Sequence, residues 1–278
     1  MNVINYLKSL IFPGWNSSRA YSKLNLLTTF SSFKPHGNQT YKAFEPLVIK
    51  NINEIIPKLS NLAEVDNKVK IIELSDFVQQ NKHKNSDEIY KKLNENFSTF
   101  KSDKSKNQYD LIYSVIFPDL ETNFKILEIG MGTNNPKIVS SMGINGKPGA
   151  SLKAFKNTFY NSVIYGADID PEILFEEDRI KTFNVDQNNL DTFSNLSNIT
   201  NSFDYIIDDG LHYQLSNINT LLFSIEKLAK EGYLIVEDIG SWTIDTWIVI
   251  SKLIPDGFKS NLIKMSSDNF VFLFRRVN

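Results

Sequence analysis

From Phe124 to the C-terminus, short apolar runs alternate with amphipathic stretches, and no other feature of the chain narrows its fold as far. Apolar runs fall at 125–129, 163–168, 180–185, 205–208, 233–237, 261–265 and 270–274, with helical patterns between them at 151–159, 214–228 and 243–253. Strands that alternate with helices form a parallel sheet covered on both faces. The last two runs are separated only by the polar residues 266–269, too few for a crossover, so they are expected to pair as an antiparallel hairpin. The expectation is a seven-stranded α/β sheet with an antiparallel last strand.

Residues 1–100 read differently, as a mainly helical region that ends in the polar stretch 101–108. Ile4, Leu7, Leu10 and Ile11 share one helical face, and Ile52, Ile55, Ile56 and Leu59 share another in which Pro57 should bend or restart the helix. Val69, Ile71, Ile72 and Leu74 suggest a short strand. Ser86 reads as the N-cap of a helix carrying Ile89, Leu93 and Phe97 four apart, and Tyr109, Ile112, Tyr113 and Ile116 as a further short helix stopped by Pro118. The domain boundaries expected are therefore 1–100 and 101–278, with acceptor binding or homo-oligomer formation left to the first.

Composition excludes several chemistries. The chain has no cysteine and three histidines, so thiolate catalysis, iron–sulfur ligation and cysteine zinc sites are out, and any metal must be held mainly by oxygen. Residues 1–120 hold 16 Lys/Arg against 12 Asp/Glu, whereas the remainder holds 14 against 20, an acidic balance that argues against nucleic acid as a partner. The N-terminal apolar stretch is shorter than the roughly 20 residues a membrane span needs and has neither a basic leader nor a cleavage site, so no stable membrane insertion and a cytoplasmic location are expected.

In an open parallel sheet ligands lie beyond the carboxyl ends of the strands. Five successive strands here end in carboxylates: Glu128, followed by Gly130 and Gly132, then Asp168, Asp186 with Gln187, Asp208 with Asp209, and Glu237 with Asp238. The two glycines allow a tight turn and close approach to a ligand. A dinucleotide fingerprint would continue with glycine at 135, where the chain has Asn135, and the helix begins only after a long loop. Asp168 is placed to grip a ribose diol, a role common to nicotinamide and S-adenosylmethionine (SAM) proteins.

The motifs ILEIGMGT, YGADID, NVDQ, FDYIIDDGLHY and GYLIVEDI resemble those of the class I SAM-dependent methyltransferases over residues 101–278. With GASL at 149–152, the combination of VDQ, IIDDGxH and VED is similar to the metal-dependent O-methyltransferases that act on macrolide sugars, and to related polysaccharide-biosynthesis methyltransferases. The chain departs from that pattern at Leu211, where serine is usual, and in the loop 133–148. The resemblance implies SAM as cofactor, contacted by Glu128, Gly130, Gly132, Ser151, Asp168, Asp186, Gln187 and Asp208. The acceptor would be a small molecule or saccharide.

Asp209, Glu237 and Asp238 close neighbouring strands about 4.8 Å apart, and three converging carboxylates are best reconciled by a divalent cation, Mg²⁺ or Mn²⁺. Asp209 thus counts among the catalytic residues. His212, three residues later, is placed to take a proton from a cation-bound hydroxyl. Tyr213 and Trp242 near the same rim suit stacking on a sugar, whereas His36 and His83 read as surface groups. A nicotinamide-dependent oxidoreductase and a non-catalytic binding module on the same fold are the competing readings.

Overall fold

The computed structural model describes residues 54–61 and 71–278. The N-terminal amphipathic face, His36 and Val69 lie outside the described residues. The chain divides into two compact units, residues 1–66 and 67–278. Of the first, residues 54–61 are helical through Pro57, with Lys58 paired to Glu54 at 2.8 Å.

The second unit is one sheet with helices on both faces. Its strands are β1 (Ile71–Glu73), β2 (Lys125–Ile129), β3 (Val163–Asp168), β4 (Glu176–Glu177), β5 (Ile180–Asn184), β6 (Phe203–Asp208), β7 (Leu228–Gly240), β8 (Phe258–Lys264) and β9 (Asn269–Arg276). Their order is β1-β8-β9-β7-β6-β2-β3-β5-β4. Among the described residues the sheet therefore has nine strands, a correction to the seven expected. The two additions lie at the margins: β1 runs parallel to β8 with Ile71 opposite Leu262, and β4 runs antiparallel to β5. An edge strand carries unpaired backbone groups, and each short segment satisfies part of that row. β9 is antiparallel to both β7 and β8, which is the expected hairpin.

The central strands are apolar on both faces, as a sheet covered on both sides requires. Ile126, Leu127, Ile164, Ile206, Ile207, Leu234 and Ile235 are all fully buried. The helices are α1 (Leu74–Asn81), α2 (Ser86–Phe100), α3 (Tyr109–Ile116), α4 (Ala150–Thr158), α5 (Gln214–Lys227) and α6 (Ile244–Leu253). α2 buries Ile89, Leu93 and Phe97, and the Phe97 ring meets Phe155 of α4 edge-on at 5.3 Å. That stripe joins the same core as the sheet, so the compact unit starts well before the composition change at 101–108. Leu74 opens α1 instead of extending the strand, and Asn85, not Ser86, precedes α2. Ser86 instead accepts the His83 backbone N–H at 3.0 Å. No helix among the described residues is long and apolar enough to cross a membrane.

Candidate active site

The carboxyl ends of β2, β3, β6 and β7 open onto a cavity of about 660 Å³, a size suited to a nucleoside-sized ligand. Gly130, Gly132, Ser151, Asp168, Asp186, Gln187, Asp209, His212 and Asp238 line it, whereas Glu128, Asp208 and Glu237 lie buried behind its wall. Strand-end position alone does not separate these two groups.

On the β2 side the turn is built for close approach. Gly130 has φ +92°, and a Cβ there would lie 2.1 Å from the backbone oxygen of Asp209. Only glycine fits, because the neighbour is backbone and cannot move aside. Asp168 accepts the backbone N–H groups of Met131 at 2.8 Å and Asp170 at 3.0 Å, which fix its carboxylate beside that turn. Burial raises its pKa above the ordinary 3.8, and the two N–H bonds partly offset the rise.

Glu128 is fully buried and accepts the hydroxyl of Ser151. Gln187 lines the cavity, but its side chain is already committed. Its Nε2 donates to Asp208 at 2.6 Å and to Thr220 at 3.0 Å, and its Oε1 accepts the Leu211 N–H at 2.9 Å. Asp208, fully buried, also accepts from Asn217 at 3.0 Å and so braces the loop after β6 instead of facing a cofactor. Asp186 lines the cavity and caps its own turn by accepting the Asn188 N–H at 2.9 Å.

The far wall comes from β6 and β7. The pairing of β7 with β9 is interrupted between Val236 and Ile239, which places Glu237 and Asp238 at a bulge, and Asp238 has φ +54°. A bulge re-aims side chains, and here it turns Asp238 to the cavity and Glu237 into the interior. Asp238 is held by the Tyr109 hydroxyl at 2.6 Å and Asn269 Nδ2 at 2.9 Å. His212 also has φ +54°, and its Nε2 lies 3.9 Å from Asp209 Oδ1. Left-handed backbone at two non-glycine residues of one pocket is a strain that the surrounding structure must hold in place.

Asp209, His212 and Asp238 each offer an oxygen or nitrogen atom, all within 4.8 Å of one another, so that the two carboxylates can hold a divalent cation with the imidazole beside it. Glu237, expected as a third carboxylate donor, is not among them. It is fully buried, receives the Tyr113 hydroxyl, and lies 2.5 Å from the ammonium of Lys104. The same Nζ lies 2.8 Å from Asp209 Oδ2 and 3.0 Å from Glu128 Oε1. Burial alone would lower the Lys104 pKa, but Asp209 and Glu237 outweigh it and hold the ammonium protonated above its usual range. Burial pushes Glu128 and Glu237 upward against the pull of the lysine, as expected where three acids share one ammonium. Sequence reasoning missed Lys104 because 101–108 looks like a polar linker, and no periodicity marks one lysine there as buried.

The loop 133–148 folds back over the cavity. Met142 N–H donates to Thr133 at 2.9 Å, and Ser140 reaches the Leu211 carbonyl at 3.3 Å. Val139 and Ile144 stand exposed on it. Tyr213 and Trp242 are also exposed, and neither lines the cavity.

Comparison with known proteins bears out the resemblance read from the motifs. The chain is 32% identical over 121 residues to demethylmacrocin O-methyltransferase of Streptomyces fradiae, a match covering 43% of this chain and 28% of the relative. It is 29% identical over 120 residues to mycinamicin VI 2''-O-methyltransferase of Micromonospora griseorubida, covering 43% of this chain and 27% of that one. The match thus spans less than a third of the length of these curated relatives. A solved methyltransferase of the mycinamycin biosynthetic pathway, in complex with Mg and SAH, aligns at 27% identity over 54% of this chain and 40% of its own, with a TM-score of 0.46. No protein-family model matches the chain.

Proposed function

We propose that the protein transfers a methyl group from SAM to a hydroxyl of a sugar or glycoside, with Mg²⁺ or Mn²⁺ in the site. The observation that carries this reading is the single cavity bounded by the Gly130 turn and Asp168 on one wall and by Asp209, His212 and Asp238 on the other. The relatives named above, O-methyltransferases by name, support it. A bound cation would lower the pKa of an acceptor hydroxyl.

The chain's own residues do the rest. Asp168, held by two N–H groups, offers its remaining lone pairs to the ribose hydroxyls of SAM. Gly130 and Gly132 let the backbone lie against the cofactor. Asp186 borders the adenine end. Asp209 and Asp238 would hold the cation, and His212 would take the proton from the acceptor oxygen, while SAM would supply the methyl group, its sulfonium leaving as the neutral thioether. The loop 133–148, with its exposed Val139 and Ile144, selects the acceptor, and residues 1–100 contribute acceptor binding or oligomerisation.

Titrating the full chain with SAM and with NAD in a calorimeter tests the cofactor. Radiolabelled methyl transfer to a panel of free sugars and glycosides tests the reaction. Tighter binding of NAD than of SAM would overturn the first part, and SAM binding without transfer to any hydroxylated acceptor would overturn the second.

A further inference from the structure

Lys104 comes from the polar segment between α2 and α3, yet its side chain is only 2% exposed. Its Nζ sits 2.5 Å from Glu237, 2.8 Å from Asp209 and 3.0 Å from Glu128. These acids lie in or just after β7, β6 and β2, three consecutive strands of the sheet, near their carboxyl ends. Of the three hydrogens an ammonium can donate, two make hydrogen bonds here, to Glu237 and to Asp209. The second oxygens of Glu237 and Glu128 are taken by the hydroxyls of Tyr113 and Ser151. Glu128 Oε1 has no aligned hydrogen bond and is left with the ammonium charge alone.

Carboxylates removed from water are tolerable only when paired, and losing the partner is strongly destabilising. The inner acids therefore need a cation at the point Lys104 occupies. Asp209 stands between two environments: Oδ2 meets Lys104 inside, and Oδ1 faces His212 on the cavity side.

We propose that Lys104 is a built-in cation, filling the position among Glu128, Asp209 and Glu237 that a divalent ion would otherwise take. It thereby confines any added divalent ion to the cavity-facing carboxylates Asp209 and Asp238, beside His212. The inference rests on the metal reading above, but its test needs no methyl transfer.

The experiment measures Mn²⁺ binding by electron paramagnetic resonance, and melting temperature with and without Mn²⁺, for wild type, Lys104→Met and Lys104→Arg. The full chain is used, without SAM or acceptor. Lys104→Met is expected to bind Mn²⁺ at least about tenfold more tightly than wild type, because more carboxylates become free to ligate it. Its melting point, depressed in EDTA, should rise with Mn²⁺ more than that of wild type, and NaCl of equal ionic strength should not reproduce the rise. Lys104→Arg, which keeps the charge, should bind Mn²⁺ as wild type does. If wild type binds none and Lys104→Met does, the outer metal site fails while the built-in cation stands. Equal or weaker Mn²⁺ binding by Lys104→Met, or a variant that stays unfolded in millimolar Mn²⁺, overturns the inference.

Discussion

His212 and Asp168 show how single side chains divide the work of one cavity. In the proposed reaction His212, 3.9 Å from Asp209, serves the acceptor and Asp168 serves SAM. General-base assistance contributes about 10²–10⁴-fold, so His212→Ala should lower kcat by that order and leave SAM affinity unchanged. Stopped-time assays at saturating acceptor and metal check this, and retention of more than about a third of wild-type kcat would make the histidine structural. Asp168→Ala removes a carboxylate acceptor of two ribose hydroxyls, each charge-assisted bond being worth roughly 1.5–3 kcal/mol, so SAM affinity should fall at least about tenfold by calorimetry. The same residue sets a pH dependence. Its pKa is raised chiefly by burial, and the ionised form is the one that accepts from the ribose. SAM affinity should therefore be full at neutral pH and start to fall, as pH drops, above the range of an ordinary aspartate. A pH titration of Kd that stays flat across that range in wild type would remove Asp168 from the binding set.

At the level of elements, the turn after β2 and the bulge in β7 carry the site. Gly130→Ala would force both a left-handed alanine and a 2.1 Å approach to the Asp209 carbonyl. Strain of this kind costs of order 1–3 kcal/mol before the clash is counted, so the variant should melt lower and bind both SAM and Mn²⁺ more weakly. An unchanged melting curve would mean that the turn and Asp209 are not in contact in solution. α2 anchors the segment that delivers Lys104. The capping residue after it, Lys101, is left-handed at φ 63°, and Ser102 N–H returns to the Phe97 carbonyl at 2.9 Å. Phe97→Ala, at a fully buried position, should cost about 3–5 kcal/mol in urea unfolding. The helices were legible in the sequence because Ile89, Leu93, Phe97 and their counterparts repeat at helical spacing. The bulge was not, since Val-Glu-Asp-Ile reads as ordinary alternation and the irregularity arises only where β7 is paired with β9.

Over the whole molecule, charge is distributed in layers behind the cavity: a solvent-facing group of Asp209, His212 and Asp238, an inner group of acids around Lys104, and Asp208 braced by amides. Among the described residues the first is the group placed to take an added ion. EDTA should accordingly abolish methyl transfer while SAM binding, which uses the opposite wall, largely survives. Turnover that continues undiminished in excess chelator would remove the cation from the reaction and leave proximity and His212 to carry it. The sequence by itself determined the central strands of the sheet, its last hairpin and which strand ends carry acids, because apolar periodicity and the residues that close each strand are local properties. It did not determine which acids meet solvent. Lys104 and its partners Asp209 and Glu237 are 105 and 133 residues apart, and the choice between cavity and interior is made by a one-residue bulge and by packing across three strands. Burial depends on what lies above a side chain in space, and only the folded chain brings the polar segment 101–108 over the strand ends.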